Sequence, residues 1–257
     1  MLSIYANVAT VSLFFAWFQF IGKSLSIRLC KKYIPSHYER LSDEDKKRLA
    51  SRMMSSLNST FVVVNVSAIL VLNWQRIRSD PYWADTFVRE PYCCINLAYF
   101  LSDMINDLRG KRNFSKIIFL IHHSMVLSAI SIVIYYRVFL FHICMRGLNE
   151  LSTPVLNLRW VLKKFGMENE GIYAMTEIAF VVTYFSGRIV TMPVFYCTIL
   201  ITKDTEGYQR LNTLCKVIFF GSSVVIDTLI IYWFLLICKM VFNNVKERTQ
   251  QIKGKEE

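Results

Sequence analysis

Proline and glycine are scarce in this chain, five and nine among 257 residues. That excludes disordered, linker-like and fibrous readings. No internal repeat or low-complexity tract interrupts it, so it reads as one domain preceded by one extra apolar segment. The seven cysteines lack zinc-site spacing and most lie in apolar runs; Cys93 and Cys94 are adjacent, a poor geometry for pairing with each other. No disulfide framework is expected. Acidic residues are also few, 19 against 30 Lys and Arg. In a soluble protein the net charge of +11 would suggest nucleic acid, but here the basic residues lie mostly between apolar runs. That is the pattern of membrane topology signals, so no nucleic-acid partner is expected.

What the chain has in quantity is apolar sequence, 54% of its residues, with a positive mean hydropathy. Seven apolar runs cover residues 4–22, 57–74, 92–108, 117–136, 138–158, 172–201 and 214–242, most of them close to the roughly 20 residues a membrane-spanning helix needs. The first has no basic stretch ahead of it and ends in Lys23 and Arg28 rather than at a small-residue cleavage site, so it is expected to be retained. The fifth is interrupted by His142, Arg146, Asn149, Glu150 and Pro154, and charge decides whether it crosses. If all seven cross, 21 Lys and Arg fall in the connectors on one side and 6 on the other. Without the fifth crossing the split is nearly even, and the positive-inside rule favours the lopsided one. The fold expected is therefore all-α and polytopic, with seven transmembrane helices, the N-terminus lumenal and the tail cytosolic. Between residues 23 and 56, Ser42-Asp-Glu-Asp45 reads as a capped helix start. Leu41, Leu49 and Met53 could lay that helix on the cytosolic membrane surface, or the segment is a solvated connector.

The polar residues inside the runs are the candidate site. His122 and His123 sit in the middle of an uncharged stretch, and neighbours about 100° apart on a helix cannot both face lipid. At least one looks inward. In the third run Asn96, Tyr99, Asp103, Asn106 and Asp107 fall within an arc of about 100°. Two carboxylates four residues apart repel if both are ionised, so one is protonated or the pair holds a cation. Asp107, next to Arg109 at the membrane edge, reads as a solvated end. Arg146 and Glu150 are one helical turn apart and can neutralise each other; Glu177, Tyr184, Arg188 and Thr191 share a face of the sixth run, and Ser223 and Asp227 one of the seventh. Arg188 and Asp227 are placed either to pair across helices or to bind a ligand. These stripes imply a ring of helices around a polar centre. No metal site is named, because no HxxxH or HxxHH spacing supports one, and no bound cofactor is expected.

His122-His123, followed 27 residues after His122 by Asn149-Glu-Leu-Ser-Thr-Pro-Val-Leu-Asn-Leu-Arg-Trp160, resembles the TLC domain shared by TRAM proteins, ceramide synthases and CLN-type membrane proteins. Asp80-Pro-Tyr-Trp83, Leu101-Ser-Asp103, Phe185-Ser-Gly-Arg188 and Val225-Ile-Asp227 fit the same family in order. The resemblance divides the chain into an N-terminal helix and connector (1–40), a TLC domain (41–243) and a basic tail (244–257). It implies a ring of six helices enclosing a lipid-sized cavity, with Asn96, Tyr99, His142, Arg146, Asn149, Asn157, Tyr184, Arg188 and Asp227 lining it.

In ceramide synthases the paired histidines carry acyl transfer from acyl-CoA to a long-chain base. That assigns catalytic roles to His122, His123, Asp103 and Glu150, with acyl-CoA as co-substrate and a place in sphingolipid chemistry. The chain departs from that pattern, because Asn149-Glu150 stands where those enzymes place an aspartate pair. The expectation is thus a lipid-handling protein acting in membrane lipid homeostasis, with an N- or O-acyltransferase, and then a sorting or cargo-binding protein, as alternatives. Lys253 and Lys255 resemble the KxKxx signal read by coat-type retrieval machinery, which points to the endoplasmic reticulum membrane. The sequons at Asn58, Asn65 and Asn113 are expected to stay unglycosylated.

Overall fold

A computed structural model of the chain describes residues 4–108 and 114–256, with side chains described up to residue 242. Asn113 and the side chains of Lys253 and Lys255 lie outside what is described.

Seven long helices account for most of the described residues: α1 (Ile4–Tyr33), α2 (Asp43–Leu72), α3 (Arg89–Leu108), α4 (Phe114–Tyr136), α5 (residues 140–164), α6 (Gly171–Thr202) and α7 (Thr213–Glu256). Five of them, α1, α2, α4, α6 and α7, are long and apolar enough to cross a membrane. The other two are the most polar runs of the sequence. Outward-facing apolar side chains such as Val8, Leu13, Val71, Met175, Ile178, Leu200 and Leu235 are exposed, which suits a lipid surround rather than water.

The helices alternate in direction. One end of the molecule gathers the connector around residues 75–91, the turn at 137–139 and the segment 202–212. There Trp83 Nε1 donates to the Gly207 carbonyl at 2.8 Å, Tyr82 Oη lies 2.6 Å from Thr202 Oγ1, and Arg137 pairs with Glu90 at 2.5 Å. Arg89, fully buried, donates to the Arg137 carbonyl at 2.8 Å, and Phe139 N–H to the Tyr82 carbonyl at 2.6 Å. Burial at this end pushes the Tyr82 phenol up to about 12. The opposite end gathers Lys164 with Asp45 at 2.9 Å, Asn157 with Arg52, and Lys23 with Asn106 at 2.8 Å. Of the connectors in the charge count, 23–56 and the start of 159–171 thus meet at one end, and 75–91, 137–139 and 202–212 at the other.

Packing closes a ring in the order α2, α3, α4, α7, α6, α5 and back to α2, with α1 outside it against α2 and α3. Gln19 and Lys23 of α1 bond to Ser102 and Asn106 of α3 at 2.9 and 2.8 Å, which fixes the two helices side by side and parallel.

Two readings need correction. Ser42 does cap a helix, accepting from the Asp45 N–H at 3.1 Å, but that helix does not lie along a surface. It runs unbroken for 30 residues into the second apolar run, about 45 Å at 1.5 Å per residue. Leu41 and Leu49 are buried with Cys30 and Tyr38 against Trp160, Val161 and Phe165. Their apolar side chains find a protein groove, so no membrane surface is needed to cover them.

The second correction concerns α5. Residues 148–152 wind as a 3-10 turn between two α-helical stretches. Pro154 has no N–H to give the Glu150 carbonyl, so Thr153 N–H bonds it instead, an i to i+3 bond. The tighter winding turns Glu150 away from Arg146, and the ion pair expected between them does not form.

Candidate functional site

The ring closes on a group of polar side chains from α2, α3, α4 and α5. His123 projects from α4 and is 6% exposed. Its Nε2 is 3.5 Å from Asp103 Oδ2 and its Nδ1 3.7 Å from Asp107 Oδ2, both on α3. The two carboxylates reach one imidazole because four residues make about one helical turn. Tyr99, one turn before Asp103, directs its hydroxyl at Asp103 Oδ2 at 3.5 Å and packs edge-on against Phe18. Phe100 and Phe119 flank the imidazole.

His122 takes another direction. It meets Trp233 of α7 edge-on at 5.5 Å, its Nδ1 has no hydrogen-bond partner among the described residues, and the two imidazole centroids are 5.7 Å apart. Of the pair, only His123 faces carboxylates among the described residues.

Glu150 is held from α2, whose Ser59 hydroxyl donates to Oε2 at 2.6 Å. Asn96 is buried, bonded to the Tyr92 carbonyl at 2.9 Å and to Asn58 at 3.4 Å. Asn157 accepts from Arg52 at 2.8 Å and donates to Ser56 at 3.0 Å, while the Arg52 guanidinium lies over the Trp160 ring.

Toward the other end lies a second polar group. Arg146 forks onto both oxygens of Asp227 at 2.5 and 2.7 Å, Tyr196 adds a hydroxyl at 2.6 Å, and the guanidinium covers Phe195 at 3.9 Å. Asp227 therefore has its cation, and Arg188 does not pair with it. Arg188 donates to Ser152 and Thr153 at 3.2 and 3.5 Å and lies over the Tyr184 ring. Tyr184 donates to the Ile230 carbonyl at 2.8 Å, and Asn149 accepts from Thr191 at 3.4 Å. These are helix-to-helix fastenings.

His142 departs furthest from the expectation of a cavity wall. It is fully buried, stacked on Tyr82 at 5.0 Å and boxed by Phe139, Phe195, Phe219 and Phe220, far along α5 from Glu150. An aromatic box of this kind serves packing.

Sequence reasoning missed Asp107, read as a solvated end. The middle of α4 brings His123 beside it, and nothing in the local sequence reports that inter-helix contact. Sequence reasoning offered the Asp103 and Asp107 pair as a place for a cation but not the third ligand atom, which His123 brings within 4.8 Å of both carboxylates. The i,i+4 carboxylates were the available signal, but their third member lies on another helix. A groove of about 360 Å³ lined by Trp17, Phe20, Ile21, Ser24, Leu25 and Arg28 opens on α1, on the side away from Gln19 and Lys23, which bond to α3.

A family model described as the TLC domain matches residues 48–239. The chain is 27% identical over 235 residues to TLC domain-containing protein 4-A of Xenopus laevis, covering 91% of this chain and 90% of that one. It is 26% identical over 235 residues to TLC domain-containing protein 4 of Homo sapiens, covering 90% and 88%. TLC domain-containing protein 4 A of Dictyostelium discoideum is 26% identical over 162 residues, 61% of each chain.

Proposed function

Because the chain belongs to the TLC domain family, we propose that it acts in membrane lipid homeostasis by handling a lipid within its helix ring. The observation that carries this reading is the contrast between the two surfaces of the ring. The outside is apolar and exposed, while His123, Asp103, Asp107 and Glu150 are turned inward. Ionisable groups within a membrane domain are costly and persist where they face a polar interior or a ligand. A lipid offers what such an interior can use, a polar headgroup on an apolar body.

Its site of action in this proposal is the endoplasmic reticulum membrane, with seven crossings, a lumenal N-terminus and a cytosolic tail. The charge partition and the grouping of connectors at two ends support that topology, and the Lys253/Lys255 pair supports the location. Membrane lipids are the partners, with coat-type retrieval machinery reading the tail.

A second reading, acyl transfer from acyl-CoA to an amine or alcohol, is favoured by one observation, the placing of His123 beside Asp103 at 3.5 Å. Carboxylates beside the ring nitrogens, Asp103 at Nε2 and Asp107 at Nδ1, stabilise the imidazolium that forms when the ring takes a proton from the nucleophile. Lipid profiling of cells with and without the chain, and with the His122→Ala/His123→Ala variant at equal abundance, tests both readings. Lipid handling predicts a profile that changes when the chain is removed. Acyl transfer predicts that the double variant reproduces the removal. An unchanged profile on removal ends both.

A further inference from the structure

We propose that Asp103, Asp107 and His123 form a binding site for one divalent transition-metal cation of the zinc class. This goes beyond the lipid-handling reading and does not rest on it. Two observations point to the ligand independently: the convergence of three ligand atoms within 4.8 Å, and the state of the imidazole between them.

A neutral imidazole has one donor and one acceptor nitrogen. In His123 both nitrogens face carboxylate oxygens, at 3.5 and 3.7 Å, which exceeds hydrogen-bond length for an N–H to an oxygen. With the imidazole neutral and both carboxylates ionised, one lone pair points at an acceptor. The residue is nine-tenths buried and its Nδ1 has no hydrogen-bond partner among the described residues. A cation answers both features, because it accepts the lone pair and draws the carboxylates in, and it removes the repulsion between Asp103 and Asp107 one turn apart.

The donor set names the class of metal. Two carboxylate oxygens with one imidazole nitrogen suit zinc and its neighbours better than calcium or magnesium, which prefer oxygen alone. Zinc bonds of about 2.0–2.2 Å place neighbouring ligand atoms about 3.3 Å apart in a tetrahedral set. Small rotations of the two Asp side chains close the difference. Three protein ligands leave a fourth position for water or for an oxygen of a bound molecule.

The test uses the full chain in detergent, without a polyhistidine tag, stripped with a chelator and reloaded with zinc chloride. Metal content by mass spectrometry should be close to one zinc per chain. Cobalt(II) as a substitute should give absorption bands of a nitrogen- and oxygen-ligated ion, without thiolate charge transfer. Asp107→Asn lies in the last turn of α3, where folding tolerates change. It should weaken zinc binding about tenfold or more, since even the loss of a residue that only supports a ligand costs that much. His123→Ala should abolish binding with an unchanged elution profile, and His37→Ala should leave it intact. Failure of the wild-type chain to retain zinc after reloading, retention of full affinity by Asp107→Asn, or cobalt bands of thiolate ligation would each overturn the site. Every readout is made on the isolated chain, so an unchanged cellular lipid profile would not bear on it.

Discussion

Arg146 and Asp227 form a two-pronged pair with side chains 12% and 6% exposed. Such a pair is strong in geometry but expensive to bury, so its removal has a direction that depends on how it is removed. Arg146→Met alone leaves a buried carboxylate with only the Tyr196 hydroxyl and should cost on the order of 3–5 kcal/mol. Arg146→Met with Asp227→Leu should recover most of that loss. Thermal unfolding of the detergent-solubilised chain checks both, and a double variant no better than the single one would show that the pair does more than fasten α5 to α7. At His123 the expectation depends on the reaction. If the chain transfers acyl groups, His123→Ala should lower turnover by about 10²–10⁴, whereas His122→Ala, packed on Trp233 away from the carboxylates, should cost far less. Single-turnover assays with acyl-CoA and a long-chain base separate the two.

At the scale of elements, two local irregularities set the ring. Pro154 forces the 3-10 turn that aims Glu150 at Ser59. On the facing helix, residues 185–189 wind as a π-helical turn, a form found mostly as single bulges inside α-helices. Gly187 sits in that bulge, where an added Cβ would meet the Leu148 carbonyl oxygen at 2.7 Å and Leu151 Cβ at 3.1 Å. Backbone cannot step aside as a flexible side chain does. Gly187→Ala should therefore lower stability by about 1–3 kcal/mol through overpacking, and Gly187→Val by more. Thermal unfolding checks this; a neutral Gly187→Val would mean that α5 and α6 are not in contact there.

For the whole molecule, the tests are topological. Asn58 is buried against Asn96, and the proposed topology of seven crossings with a lumenal N-terminus would put both Asn58 and Asn113 on the cytosolic side. No glycosidase-sensitive mass shift should appear, and one abolished by Asn58→Gln or Asn113→Gln would reverse the orientation. The tail makes a separate prediction. Lys253→Ser with Lys255→Ser should let the protein reach later compartments, as read by microscopy against compartment markers; unchanged residence would assign retention to another segment.

The sequence alone determined the all-helical membrane class and the family, because both depend on properties that each segment carries by itself. Apolar length is counted along the chain, basic residues are counted between runs, and the His pair and Asn149-to-Trp160 element are contiguous. It also located the Ser42 cap, since a cap bonds only three residues away. Partner choice was decided by the tertiary structure. Arg146 and Glu150 look paired by spacing, but Pro154 rewinds the turn between them, and Asp227, 81 residues away, takes the guanidinium. Asp107 looked solvated until α4 laid His123 over it, and His142 looked like a cavity wall until aromatic rings from α6 and α7 closed around it. The ring order has the same origin. A helix shows in its sequence which faces are polar, but a polar face satisfies its hydrogen bonds with whichever neighbour packing brings within about 3 Å, and that neighbour is set by the closure of the whole ring.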